Sequence, residues 1–305
     1  MKYYPALIAV IIMAFVVSGC SLVDTVSDKV SEFNIPGTEQ EGAAQGTITA
    51  SIVSPRQGAE IPKTSRLAPA INITNQGGYE AEGQACITGG LDKNVFTGFT
   101  GCECQSFKQE KDDAGKFEAE DLRFGPYSIK YKEGETKEHG FSTVTRFEYG
   151  VDVDANICIP EDVYAVDECG VKMKATGGPL QVTSIEEIIN PGEDEGSADM
   201  LFKIHVSNEG GGRLITENDF NEPCKALSFE DLPTIEARVK NFPTNDMITC
   251  EDIEFEGNSA VIVCQGIVNL VRGGQAVFPE GYRPDILFQL RYFYELRQSS
   301  QFRLI

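Results

Sequence analysis

The side chains most ready for chemistry in this sequence are its nine cysteines. Cys20 stands alone near the amino terminus. Cys86, Cys102, Cys104 and Cys158 follow in one stretch, and Cys169, Cys224, Cys250 and Cys264 in the next. An even set beyond Cys20 reads as a disulfide framework made in an oxidising compartment, and the possible pairings are too many to resolve by spacing alone. One pair is legible. In MITCEDIEFEGNSAVIVCQG, residues 256–259 read as a turn between two strands. That turn brings Cys250 and Cys264 opposite or nearly opposite, at the short Cα separation a disulfide demands. Cys158 falls on the polar parity of its strand, so its bond is expected outside the central core, with Cys86 as a candidate partner. Cys102-Glu103-Cys104 is closer than the spacing usual in tetrahedral zinc sites, and neither histidine is near it, so zinc is not expected.

Catalysis finds little support in the remaining residue types. The two histidines are His139, in a Glu138-His139-Gly140 turn, and His205, on the solvent parity of a strand. No Gly-x-Ser-x-Gly elbow, His-Glu-x-x-His helix or phosphate-cradling loop is present. With 47 Asp and Glu residues some pair of carboxylates always exists, so a pair by itself carries no information. No cofactor is expected, with one weak exception. Asp152 and Asp154 share a strand face, and Glu161 and Asp162 follow in the linker. Such oxygens suit Ca2+, which takes roughly six to eight of them, although a solvated acidic face explains them equally simply. Asn72-Ile73-Thr74 is an N-glycosylation sequon on the outward parity of its strand.

The amino terminus reads MKYYPALIAVIIMAFVVSGC: one positive charge at Lys2, an apolar run, then small residues. That is the layout of a signal peptide, and the run is short for a bilayer-spanning helix. Val17-Ser18-Gly19-Cys20 resembles the lipobox of prokaryotic lipoproteins, archaeal ones included. The resemblance implies cleavage after residue 19 and a diacylglyceryl group on the Cys20 sulfur, an anchor of two acyl chains. An ordinary signal peptide with an incidental cysteine is the plain alternative. Residues 20–46 then form a polar, Gly-containing tether.

The elements beyond the tether read as strands. Apolar residues alternate at Phe147, Tyr149, Val151, Val153, Ala155, Ile157 and Ile159, and again at Phe202, Ile204 and Val206 and at Ile286, Phe288, Leu290, Tyr292, Tyr294 and Leu296. Period-2 alternation is the mark of a half-buried strand. Thirty glycines and no tryptophan, with many short Val, Ile and Thr runs, suit an all-β chain. APAINITNQGGYEAEG from Ala68 and DMLFKIHVSNEGGGRL from Asp199 each run alternating strand, Asn, polar residue, Gly-Gly, which suggests two copies of one unit. These segments resemble the CARDB-like and related immunoglobulin-like domains of prokaryotic surface proteins. The stretch from Thr216 to Thr249 has no counterpart there and is expected to hold a short helix near Leu232–Val239.

The expected architecture is therefore all-β: two immunoglobulin-like β-sandwich domains, 47–162 and 163–305, after a signal peptide (1–19) and a lipidated tether (20–46). A net charge of −21 disfavours nucleic acid as a partner. Its acidity is concentrated in residues 161–305, where 25 acidic side chains face 12 basic ones. The expected function is a membrane-anchored, extracytoplasmic cell-surface binding or structural module, not an enzyme. Its partner would be an envelope protein, a surface protein or a glycan, and resemblance of fold does not choose among them. The rival reading is an extracytoplasmic hydrolase acting on polysaccharide or peptide through two carboxylates. A solute-binding lipoprotein would alternate strands with long helices, a pattern missing here.

Overall fold

The computed structural model describes residues 47–130, 137–159, 170–194, 196–227, 232–242, 248–251, 253–255, 257–272, 275–276 and 282–305. These belong to one compact unit. The chain is all-β, with one short helix, Glu217–Asn221, among the described residues.

Two twenty-residue strands, Lys137–Asn156 and Asp285–Leu304, pair antiparallel along their entire length, from Lys137 opposite Leu304 to Asn156 opposite Asp285. This ribbon is the axis of a nine-stranded sheet. On the Lys137–Asn156 side it is extended by Ala81–Gly89 and then Glu103–Gln109, and near its end by Lys172–Ala175. On the other side Thr234–Lys240 and Arg213–Ile215 add antiparallel, and Ala59–Ile61 adds parallel. Strands of 47–162 and of 163–305 thus share one sheet. The expected boundary near 160–166 lies outside the described residues.

One face of the ribbon is apolar for the reason the alternation implies. Phe147, Tyr149, Val151, Val153 and Ala155 are fully buried, opposite Tyr294, Tyr292, Leu290, Phe288 and Ile286. Other sheets supply the rest of this core. A three-stranded sheet comprises Ile48–Ser54, Ala70–Asn75 and Glu120–Arg123. A four-stranded sheet contains Leu180–Pro191, Ser197–Asn208 and Ser259–Asn269 and ends on Thr249–Cys250. Buried residues of all three sheets form one hydrophobic cluster, and the Phe202 ring meets Phe288 edge-on at 5.4 Å.

Three expectations change. The 232–239 segment is a strand, Thr234–Lys240, because Ile235 and Ala237 are buried at period 2; the helix lies upstream, where Thr216 accepts from the Asp219 N–H as its N-cap. His139 is in the ribbon rather than a turn, with its ring against Phe96 and Phe302. Cys86 bonds Cys104 and not Cys158.

Candidate functional site

The two similar Asn-x-Gly-Gly stretches fold into the same hydrogen-bonded turn. Asn75 Oδ1 accepts from Gly77 N–H at 2.9 Å and its Nδ2 donates to Tyr79 O at 2.7 Å. Asn208 Oδ1 accepts from Gly210 N–H at 3.3 Å and its Nδ2 donates to Gly212 O at 3.0 Å. Each turn is plugged by a ribbon tyrosine. The Tyr149 hydroxyl lies 3.4 Å from Asn75 Oδ1 and accepts from Tyr79 N–H at 3.4 Å. The Tyr294 hydroxyl donates to Asn208 Oδ1 at 2.6 Å and accepts from Gly212 N–H at 2.9 Å. Burial pushes both hydroxyls up to about 12, so they remain donors. Only glycine fits the turns: a Cβ on Gly77 would stand 2.0 Å from the Tyr149 hydroxyl, and one on Gly210 would stand 2.7 Å from that of Tyr294. Register supports a local two-fold, since Tyr149 faces Tyr292 while Tyr294 faces Phe147.

The first turn leads into Ala81–Gly89, beside one ribbon strand, and the second into Arg213–Ile215, beside the other. The chain beyond Ile215 crosses the ribbon's outer face as a strap. Phe220 stacks on Phe293 with ring centroids 4.8 Å apart. Cys224 is bonded to Cys102, which precedes the Glu103–Gln109 strand. Beneath the strap Arg146 and Glu295, opposite each other in register, are almost fully buried. Arg146 Nε donates to Glu295 Oε2 at 2.7 Å, and its guanidinium also donates to the carbonyls of Asp219, Glu222 and Lys225. Glu295 Oε1 accepts from Arg213 at 2.7 Å and from Arg297 at 2.6 Å. Burial alone would raise the Glu295 carboxyl, but hydrogen bonds from Arg297, Arg213 and Arg146 together hold it below its ordinary value.

Past the strap the same face opens into a cleft of about 440 Å³ lined by residues that include Tyr79, Glu82, Lys108, Lys111, Glu148, Asp152 and Arg291. The Tyr79 ring lies over the backbone of Gly150, where a Cβ would stand 2.8 Å from the ring. Arg291 sits 5.3 Å from the ring centroid and 3.4 Å from Glu148, and Asp152 accepts from Gln289 at 3.0 Å. Lys111 donates to Gly78 O at 2.7 Å, fixing one wall. The result is an aromatic surface flanked by fixed charges of both signs, chemistry suited to recognising a polar ligand through stacking and charge-assisted hydrogen bonds. Of the carboxylates lining the cleft, Glu82 is opposite Glu148 in register, and Asp152 is four residues further along the Glu148 strand.

All seven cysteines among the described residues are in disulfides. Cys250 and Cys264 face each other in register and are joined, as are Cys86 and Cys104. Cys102 is joined to Cys224; Cys158 is also disulfide-bonded, and Cys169 lies outside the described residues, as does Cys20. Among the described residues, the group with metal-ligand spacing is Cys86, Cys102 and Cys104; bonded in pairs, these sulfurs lack the thiolate charge that zinc ligation uses. Of the calcium candidates, Asp152 is half-buried in the cleft, Asp154 is exposed, and Glu161 and Asp162 lie outside the described residues. Asn72 is half-buried and donates to Asp121 at 2.7 Å. His205 lies 3.1 Å from Glu186.

No protein-family description matches this chain, and no curated protein matches it.

The cleft residues escape sequence reasoning because Tyr79, Glu148 and Arg291 are far apart in the chain. The second turn carries Gly212 where the first carries Tyr79, the one signal in the sequence that the copies had diverged at this position.

Proposed function

We propose that this chain is an exported, lipid-anchored binding module that works on the outer side of a membrane and takes its ligand in the cleft beside Tyr79. Cys20 carries the lipid, and residues 21–46 hold the folded part clear of the surface. The observation that carries this reading is the cysteine chemistry: every described cysteine is in a disulfide, a state that persists in oxidising compartments and is rare in the cytosol. No helix among the described residues is long and apolar enough to cross a membrane. The ligand is a polar group on an envelope protein or glycan, held by the Tyr79 ring and the charges of Arg291 and Glu148.

Binding is favoured over hydrolysis by the engagement of two cleft carboxylates: Glu148 is paired with Arg291, and Asp152 accepts from Gln289.

Site-specific photo-crosslinking in the native cell tests the proposal. A crosslinker at Glu82, on the cleft, should yield a defined adduct that Tyr79→Ala removes, and one at exposed Asp113 should not. Equal adducts at both positions, or none at Glu82, would overturn it.

A further inference from the structure

Two disulfides on the sheet's outer face are in contact with each other. Cys86 is opposite Cys104 in register and bonded to it, while Cys102 is bonded to Cys224 on the strap. Cys104 Sγ lies 3.5 Å from Cys224 Sγ and 4.0 Å from Cys102 Sγ. The four differ in access: Cys224 is exposed, Cys102 and Cys104 are half-buried, and Cys86 is fully buried. A sulfur freed from the outer bond therefore emerges against a sulfur of the inner one.

We propose that these four cysteines are a thiol–disulfide exchange site, which accepts an external thiol at the Cys102–Cys224 bond and passes the opening inward to Cys86. The co-reactant is a small-molecule thiol or a partner protein's cysteine. Its thiolate attacks Cys102 Sγ; a new S–S bond forms there, the Cys102–Cys224 bond breaks, and the electron pair leaves on Cys224. The Cys224 thiolate then attacks Cys104 Sγ, 3.5 Å away. Cys104–Cys224 forms and Cys86–Cys104 breaks. Cys86 leaves as thiolate and takes the proton that the external thiol gave up. Two disulfides enter and two remain, one of them mixed, so nothing is oxidised or reduced overall.

Attack at Cys224 instead frees Cys102, 4.0 Å from the same Cys104 sulfur. That branch also ejects Cys86. Both routes converge because Cys104 is the sulfur nearest the two outer cysteines, and the buried residue is the common leaving group. The chemistry is independent of what the cleft binds.

The test uses the full chain. Cys102→Ser leaves a thiol on Cys224 beside the intact inner bond, so exchange needs no added reagent. After acid quenching and alkylation in denaturant, peptide mapping should find roughly a tenth or more of the label on Cys86, together with a Cys104–Cys224 linkage. Label confined to Cys224 with Cys86–Cys104 intact would overturn the proposal. Wild-type protein treated with one equivalent of glutathione gives a second reading that does not require the variant to fold. Labelled Cys86 together with Cys104 linked to Cys224 or Cys102 supports exchange; opening of Cys102 and Cys224 alone, labelled Cys86 without that linkage, or no opening, refutes it.

Discussion

Replacing Glu295 by glutamine removes a charge from the most buried ionic cluster among the described residues while keeping its shape. Arg146 and Glu295 expose 1% and 0% of their side chains, so solvent screens neither. Arg213 and Arg297 reach the same carboxylate from positions 40% and 54% exposed and can return to water when the charge is lost. Arg146 cannot; its guanidinium would keep only the strap carbonyls of Asp219, Glu222 and Lys225. Breaking one side of a buried pair costs about 3–5 kcal/mol. In a chain of this size that lowers the melting temperature by roughly 6 °C or more. Differential scanning calorimetry at pH 7 reads it directly. The paired change Arg146→Met with Glu295→Met should recover much of the loss, since no stranded charge remains. Acid provides a second check with a defined sign. The folded carboxyl is held below its unfolded value, so its stabilisation is complete above the unfolded value and is lost as pH falls through the folded one. Glu295→Gln should erase that acid-side slope. A melting temperature within about 2 °C of wild type at pH 7 would refute the argument that this pair secures the strap.

The two tyrosine-plugged turns should behave alike: Tyr149→Phe and Tyr294→Phe each strand an Asn–Gly turn, costing about 1–3 kcal/mol in urea unfolding, and a cost at only one would deny the two-fold. Gly77→Ala must displace Tyr149 or the Gly177 carbonyl, 2.7 Å from its Cβ, and should destabilise far more than Gly89→Ala, whose Cβ meets nothing within 4 Å. Burial pushes the Glu187 carboxyl up from 4.5 to about 7, against a hydrogen bond from Cys158 N–H and the charge of Arg283. A raised acid favours the protonated fold, so its contribution is fully present below about pH 4.5, declines as pH rises toward 7 and is flat above. Glu187→Gln should therefore raise stability at pH 8 relative to pH 5 by up to about 3 kcal/mol, read from paired urea titrations; an unchanged difference would discard the burial argument.

Period-2 alternation exposed the ribbon's inner face residue by residue, because burial on one side is written into every second position from Phe147 to Ile159. It could not expose the outer face. Arg146 and Glu295 sit on the parity that normally meets water, and they are buried only because a strap from a distant part of the chain crosses them. The antiparallel partnership of Lys137–Asn156 with Asp285–Leu304 was invisible for a related reason: alternation names a strand's face and says nothing of its neighbour. The Asn-x-Gly-Gly repetition was legible as a string, yet its meaning rests on Tyr149 and Tyr294, which the string does not contain. Cysteine parity placed Cys158 away from the inner face but left Cys86 without its true partner. Register with Cys104 decides that bond, and register is a three-dimensional quantity.

The most direct test of the account is the state of the sulfur atoms in the living cell. Cells are lysed straight into acid, alkylated without reductant and digested. The expected result is no label on Cys158, Cys250 or Cys264, which lie outside the exchange site, and a first peptide that starts at Cys20 bearing lipid. Free thiols at these positions, or an intact Met1, would contradict it.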